Sequence, residues 1–281
     1  MFNTVELDND VTVLLGDDQQ SNSILLTKEE SLIVVDTLCG ESDVARLKEI
    51  VCCQGAPLRY IVNTHWHSDH IGGNSELKGI FPESSIIAHE SYLDTVTTEE
   101  SIIKTHPKPN PDDYLPPQIL VTDSYEIVPD LQMMYAGGHS KDSCILYIPS
   151  KSLVICGDVV LSSGVNSGAS IPYFYWGNPY DLVGALEKIR ELNPRLLIPG
   201  HGWIVKPDII DDHILYLQRL LVAYQEFCQE GSGQISDNCL PVSLELEKIV
   251  DCTKGMHWTF RKMHHYNLHC LEKLAKAKEL V

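Results

Sequence analysis

The 281-residue sequence contains no CxxC pair and only 21 lysines and arginines against 39 acidic residues. It also has no apolar run approaching the ~18 residues that a membrane span needs. Each absence excludes something. Nine cysteines, an odd number at irregular spacing, make neither a disulfide framework nor a zinc ribbon. Several sit inside apolar runs such as SLVICGD and DSCILYIP, where a free thiol behaves as a small hydrophobe. Thiols of this kind belong to a reducing compartment. The opening MFNTVELDND has no basic region and no apolar stretch behind it, so no secretory signal and no membrane association are expected. The expected location is cytoplasmic. A net charge of −18 disfavours nucleic acid as a partner, since its binding needs Lys and Arg to displace counterions. Apolar residues are not lacking: 43% hydrophobic with 21% charged is an ordinary globular composition.

Strand-like and helix-like patterns alternate along the chain. VTVLLG (11–16), NSILLT (22–27) and SLIVVDT (31–37) are β-branched runs separated by polar breaks, as in a meander. ESDVARLKEIVCC (41–53) has helical spacing, and RYIVNT (59–64) is an apolar strand. SSIIAHE (84–90) reads as a strand, and residues 107–117, with five prolines and no periodicity, read as a loop. YEIV (125–128), LQMMYA (131–136), DSCILYIP (142–149) and SLVICGD (152–158) are further strands. A helix over 179–193 opens on Pro179, and RLLIPGHG (195–202) is a short strand entering a turn. SLIVVD and SLVICGD each end in Asp and lead through a helix to a strand that runs into His, at YIVNTH (60–65) and LLIPGH (196–201). This internal repeat predicts two sheets packed face to face with helices outside. Helical spacing returns over 208–229 and 257–281, around a Gly/Ser-rich connector at 231–241. We expect a core domain over 1–207, with 208–281 packed on it as C-terminal helices.

The chemistry concentrates in His65-Trp66-His67-Ser68-Asp69-His70, followed by Gly72-Gly73, directly after an apolar strand. Four metal-capable side chains within six residues form a strong signal, because imidazole and carboxylate suit Zn²⁺, and also Fe or Mn. Further candidates stand at strand ends: His139 in AGGHS, Asp158 closing SLVICGD, and His201 closing LLIPG. They divide into two sets. His65, His67 and His139 would hold one ion, Asp69, His70 and His201 a second, and Asp158 would bridge. The remaining histidines, 89, 106, 213, 257, 264, 265 and 269, read as surface or packed residues.

The strings THWHSDHIGG, GGHSKDS, CGD and PGHG, in that order, resemble the metallo-β-lactamase superfamily over residues 11–205. The resemblance implies an α/β fold, an αββα four-layer sandwich here carrying a C-terminal helical extension. It also implies a dinuclear site at one edge, most often zinc, with a metal-bridging hydroxide as nucleophile. By the same likeness Asp36 supports the ligand loop from behind. Asp69 would orient the hydroxide and carry a proton while remaining a ligand. The expected activity is hydrolysis of a small-molecule ester, thioester, lactone or β-lactam. Dedicated β-lactamases of this fold carry Cys or Ser where this chain has Asp158, and related lactonases often have Tyr where it has Leu161, so the general hydrolase pattern fits better. Alternatives on the same fold are an iron-dependent redox enzyme of the persulfide dioxygenase type and a phosphodiesterase or nuclease. Tyr173, Phe174, Tyr175 and Trp176 form a run of four aromatics in a chain with 7% aromatics. Tyr173, Tyr175 and Trp176, with Trp66, are therefore candidates to line the substrate.

Overall fold

The structure is a computed structural model that describes residues 3–15, 21–97, 115–163, 170–231, 235, 240–251, 256 and 258–277. Most of the proline-rich segment, the glycine-rich run at 164–169, much of the 231–241 connector, His106 and His257 lie outside the described residues.

Twelve strands form two sheets among these residues. The first runs in sequence order: β1 (Asn3–Asp8), β2 (Val11–Leu15), β3 (Ser23–Lys28), β4 (Ser31–Val35), β5 (Leu58–Val62), β6 (Ser85–His89) and β7 (Ile119–Val121). Its first four strands are antiparallel, and β4 through β7 are parallel. The second sheet has the order β12-β11-β10-β9-β8, from β8 (Ser124–Val128), β9 (Leu131–Tyr135), β10 (Cys144–Ile148), β11 (Leu153–Leu161) and β12 (Leu196–His201). Here only β11 and β12 run parallel. Each sheet thus carries a parallel strand pair, β4–β5 and β11–β12, at the places where the sequence repeats itself.

Side chains alternate across a strand, so a strand covered on both faces reads as continuously apolar. β4 is of this kind. Ile33 and Val35 join Val13, Ile24 and Val62 against Leu146, Ile155 and Ile198 of the other sheet, which makes the central layer. Leu32 and Val34 face the opposite way, onto Leu47 and Val51 of helix α1 (Glu41–Cys53) and onto Leu77. The outer face of the second sheet is covered by later helices. Ile145, Val154 and Leu197 pack there with Leu182 and Leu186 of Pro179–Glu191, Leu217 of Ile209–Gln229 and Leu268 of Trp258–Ala277. The layers are therefore helix, sheet, sheet, helix, and the C-terminal helices share the apolar cluster of the second sheet. No helix among the described residues is long and apolar enough to cross a membrane.

Strands β1 and β7 and the short helices Ser68–Ile71, Asn74–Ile80 and Tyr92–Thr97 were not apparent from the residue pattern. In β1, NTVELD alternates exposed with half-buried positions from Thr4 onward, a weak pattern at a sheet edge. β11 runs three residues beyond Asp158 because Val159, Val160 and Leu161 are buried under the outer helices.

Two of the unassigned histidines are wholly internal. His264 Nε2 donates to the Leu244 carbonyl (2.8 Å), so its Nδ1 accepts from the Tyr216 hydroxyl (2.9 Å), and the ring is fully used as a neutral imidazole. His213 donates through Nε2 to Ser170 Oγ (3.2 Å), whose own proton goes to the Leu161 carbonyl. Burial pushes His213 down to about 3 and His264 down to about 4. Their unfolded forms protonate near 6.5, so the unfolded state binds more protons as pH falls below that value, and stability drops. At pH 5 each should cost about 2 kcal/mol relative to pH 7.5. Urea unfolding at the two pH values checks this. His213→Leu should lose about 2 kcal/mol less over the same interval, and an equal loss would contradict the assignment.

Candidate metal centre

The candidate residues converge at the carboxyl ends of the two parallel strand pairs, the usual place for a site in parallel sheets. Asp36 follows β4, His65 to His70 follow β5, Asp158 lies in β11, and His201 ends β12. His139 comes from the turn after β9. Backbone conformation brings these ends together. Gly157 has φ +50° at a register shift in β11, and a Cβ there would stand 2.7 Å from Thr64 Oγ1. Gly138, at φ +88°, lies so close to Leu182 that a Cβ would stand 2.7 Å from its amide nitrogen. This close contact seats the His139 turn on helix Pro179–Glu191.

His65, His67, His139 and Asp158 each offer a ligand atom, all within 4.8 Å of one another, and so do Asp69, His70 and His201. In the first group His65 Nε2 lies 2.9 Å and His139 Nε2 3.0 Å from His67 Nδ1. In the second, Asp69 Oδ2 is 3.1 Å from His201 Nε2 and 3.6 Å from His70 Nε2. Asp158 faces both: Oδ2 lies 3.5 Å from His139 and 3.5 Å from His201, while Oδ1 lies 3.3 Å from His70. All seven residues are buried except His201, which is partly exposed.

The surrounding bonds assign which ring nitrogen faces the centre. Asp36 takes the Thr64 main-chain N–H at Oδ1 (2.8 Å). At Oδ2 it takes the Thr64 hydroxyl and the His70 Nδ1 proton, both at 2.7 Å. With its proton committed to Asp36, Thr64 Oγ1 accepts from His65 Nδ1 (3.0 Å). His139 Nδ1 donates to the Tyr173 carbonyl (2.8 Å). With Nδ1 committed in this way, His65 and His139 turn lone pairs at Nε2 inward, and His70 does so whenever Nε2 is deprotonated, as metal-ligating histidines held by a carboxylate or carbonyl do. Asp36 itself sits at φ +57°, a strained value for a non-glycine, and its main chain is fixed by a bond from its N–H to the Val62 carbonyl (2.9 Å).

The electrostatics calls for cations. Burial, followed by the neighbouring imidazoles His70 and His67, pushes His65 well below the usual histidine range, and burial also lowers His139. His65 and His139 of the first group are thus neutral imidazoles. In the second, burial works against protonation, but Asp158 and Asp69 outweigh it, driving His201 up to about 10 and His70 well upward. Asp158 is held well below the carboxylate range against its own burial by His201 and His70. Buried carboxylates demand partners of opposite charge, and protons on His70 and His201 take that place here. Inward lone pairs around buried carboxylates fit two divalent ions, one in each group.

Aromatic rings stand beside the first group. The Trp66 and Trp176 rings are 6.0 Å apart, and that of Trp176 is 6.4 Å from His67. Tyr175 packs against Trp176 at 4.8 Å and lies parallel to Tyr173. Phe174, in the same run, is fully buried in the outer apolar cluster and does not join this wall.

Several contributors escaped the residue pattern. Thr64 lies inside the motif but shows its role only through Asp36. Asp142 is buried, accepts from Ser140 Oγ (2.8 Å) and from the Trp66 main-chain N–H, and is driven up to about 7 by burial. It thereby ties the His139 turn to the His65–His67 loop. Gly200 is another: a Cβ there would overlap Asp158 Oδ1 and stand 2.7 Å from the Gly157 carbonyl carbon. Gly200→Ala should therefore destabilise the fold by about 1–3 kcal/mol, as overpacking does, and weaken metal retention. Thermal melts and chelator titration measure both, and wild-type retention would contradict the packing argument.

Comparison with known proteins agrees with this geometry. Residues 16–201 match the family model of the metallo-beta-lactamase superfamily. A "Beta-lactamase-like protein 2 homolog" from Caenorhabditis elegans is 26% identical over 225 residues, 74% of this chain and 68% of the relative. An "Atrochrysone carboxyl ACP thioesterase" from Aspergillus fumigatus is 23% identical over 192 residues, 67% of this chain but only 52% of the relative. This chain thus spans about half the length of that fungal protein. Among solved structures, a metallo-beta-lactamase from Pontibacter korlensis superposes with a TM-score of 0.62 at 16% identity, covering 78% of this chain and 99% of that one. The family match covers both strand repeats and every residue of the two groups, and the chain belongs to the metallo-beta-lactamase superfamily.

Proposed function

We propose that the protein is a metal-dependent hydrolase that holds two divalent ions, zinc in the first instance, and cleaves an ester, thioester, lactone or β-lactam bond in a small molecule. The observation that carries this reading is the pair of buried ligand groups facing one shared carboxylate, Asp158. His65, His67 and His139 would hold the first ion, Asp69, His70 and His201 the second, with Asp158 available to both. When bound, the ions supply Lewis acidity toward a carbonyl oxygen and lower the pKa of water.

The chain's own side chains do the rest. Asp36 and Thr64 hold His70 and His65 in the ligating tautomer and keep the loop from relaxing. Asp69, which lies beside His70 and His201, would take the proton of the attacking water and return it to the leaving group. Trp66 and Trp176 shield the first group from bulk water and offer an apolar wall to the acyl part, with Tyr173 and Tyr175 extending that wall. Residues 208–281 belong with 1–207 in one folding unit, a reading supported by the apolar cluster that β11 shares with the last two long helices. The charge of −18 favours a small substrate over a nucleic acid.

A hydrolysis screen of zinc-loaded protein with thioesters, lactones, β-lactams and phosphodiesters tests the assignment. Turnover of at least one acyl class, lost on chelation and restored by metal, is expected. Turnover of phosphodiesters alone would move the protein to the nuclease branch and overturn the acyl reading.

A further inference from the structure

The C-terminal helix Trp258–Ala277 places the buried side chain of Asn267 against the segment that carries the Tyr173 carbonyl. Its Oδ1 accepts from the Phe174 main-chain N–H (3.1 Å). Its Nδ2 donates to the Pro172 carbonyl (2.9 Å) and to the Tyr216 hydroxyl oxygen (3.0 Å). The two main-chain groups it grips lie on either side of Tyr173. Between them, the Tyr173 carbonyl accepts the Nδ1 proton of His139 at 2.8 Å. Residues 170–174 have no helix or strand to satisfy their backbone groups, and buried backbone groups left without partners are costly. Asn267 supplies two of these bonds, to the Pro172 carbonyl and the Phe174 N–H.

The bonds behind Asn267 leave it little freedom. The Tyr216 hydroxyl that accepts from Nδ2 passes its own proton to His264 Nδ1, and His264 Nε2 donates to the Leu244 carbonyl. Cys270 Sγ, on the same helix, lies 3.4 Å from the Phe174 carbonyl. Nδ2 donates to two acceptors and Oδ1 accepts from an N–H, so the side-chain amide can face only one way.

We propose that Asn267 is a positioning residue for His139: by fixing the peptides on both sides of Tyr173, it aims the carbonyl that holds His139 in the tautomer presenting Nε2 to the first ion. The inference rests on the reading above, in which His139 holds that ion. It gives the C-terminal helix a task at the centre, since a side chain about 130 residues downstream of His139 sets how firmly one of two ions is kept.

Cobalt(II) titration of the full-length metal-free chain, followed by d–d absorption, tests this without reference to turnover. Asn267→Ala should weaken the first cobalt site about tenfold, the scale for loss of a group that orients a ligand. It should also change the absorption of that site and leave the second unchanged. Leu271→Ala, a buried apolar residue on the same helix, should lower the melting temperature without altering either affinity. Tyr216→Phe, which removes only the hydroxyl behind Nδ2, should weaken the first site about threefold and serves if Asn267→Ala does not fold. Wild-type affinity and absorption in both Asn267→Ala and Tyr216→Phe would overturn the inference. So would equal weakening by Leu271→Ala, which would reduce the effect to general loosening. If the unsubstituted chain takes up no cobalt, the metal reading itself fails, and that outcome is visible before any variant is made.

Discussion

His67→Ala should leave a folded chain that retains at most one divalent ion and turns over substrate at least ~10³-fold more slowly, about 4 kcal/mol of lost transition-state stabilisation. His67 Nδ1 is the point on which the other two imidazoles of the first group converge, at 2.9 and 3.0 Å. Without it, the first group keeps only His65, His139 and Asp158, and the last of these also faces His70 and His201 of the other group, so the first ion is left with a weaker donor set. The fold should survive because His67 lies in the loop beyond β5 and contributes to none of the apolar clusters. Metal analysis, steady-state kinetics and a thermal melt measure the three parts. Retained turnover at wild-type metal content would remove His67 from the site.

Asp158→Ala should be comparably severe for a different reason. Its carboxylate lies within 3.5 Å of ligand nitrogens from both groups, so its loss reaches both ions. Stoichiometry should fall from two ions to one, and turnover by about 10³-fold or more. The metal-free protein offers an independent check. His201 is held up at about 10 chiefly by Asp158, against the opposing effect of burial. Without that carboxylate, and with Asp69 alone left beside it, the imidazole should lose its proton at a lower pH in the variant than in the parent. NMR titration of the imidazole protons distinguishes the two. An unchanged His201 titration would mean that Asp69 alone holds the proton, and the bridging position of Asp158 would be wrong.

The candidate ligand residues that the structure brings together were legible in the sequence because they stand in short strings at the ends of apolar strands. A strand buried on both faces announces itself as a continuous β-branched run, and the polar residue that breaks the run stands at the sheet edge where a site forms. SLIVVD, YIVNTH, SLVICGD and LLIPGH are all of this kind. The layering followed from the same runs, since Ile33 and Leu32, adjacent in sequence, had to face two different apolar layers. What stayed hidden depends on contacts between residues far apart in the chain. Asp142 lies in plain view in GGHSKDS, but its hold on the Trp66 amide exists only once the two sheets have packed. Asn267 carries no signal in its helix, where a lone Asn reads as a solvated position. Its partners lie 93 and 95 residues away in a segment without regular structure. The ring tautomers were equally out of reach, because each is set by a bond to Asp36, Thr64 or the Tyr173 carbonyl. β1 escaped because an edge strand needs only half its residues to be apolar.

Metal content per chain, measured on protein purified without added metal and again after dialysis against zinc, bears most directly on the centre. Two zinc ions per chain after dialysis, falling to one in Asp158→Ala, is the expected result. A single iron per chain that zinc neither displaces nor supplements would contradict it, since the Asp69, His70 and His201 group would then hold nothing.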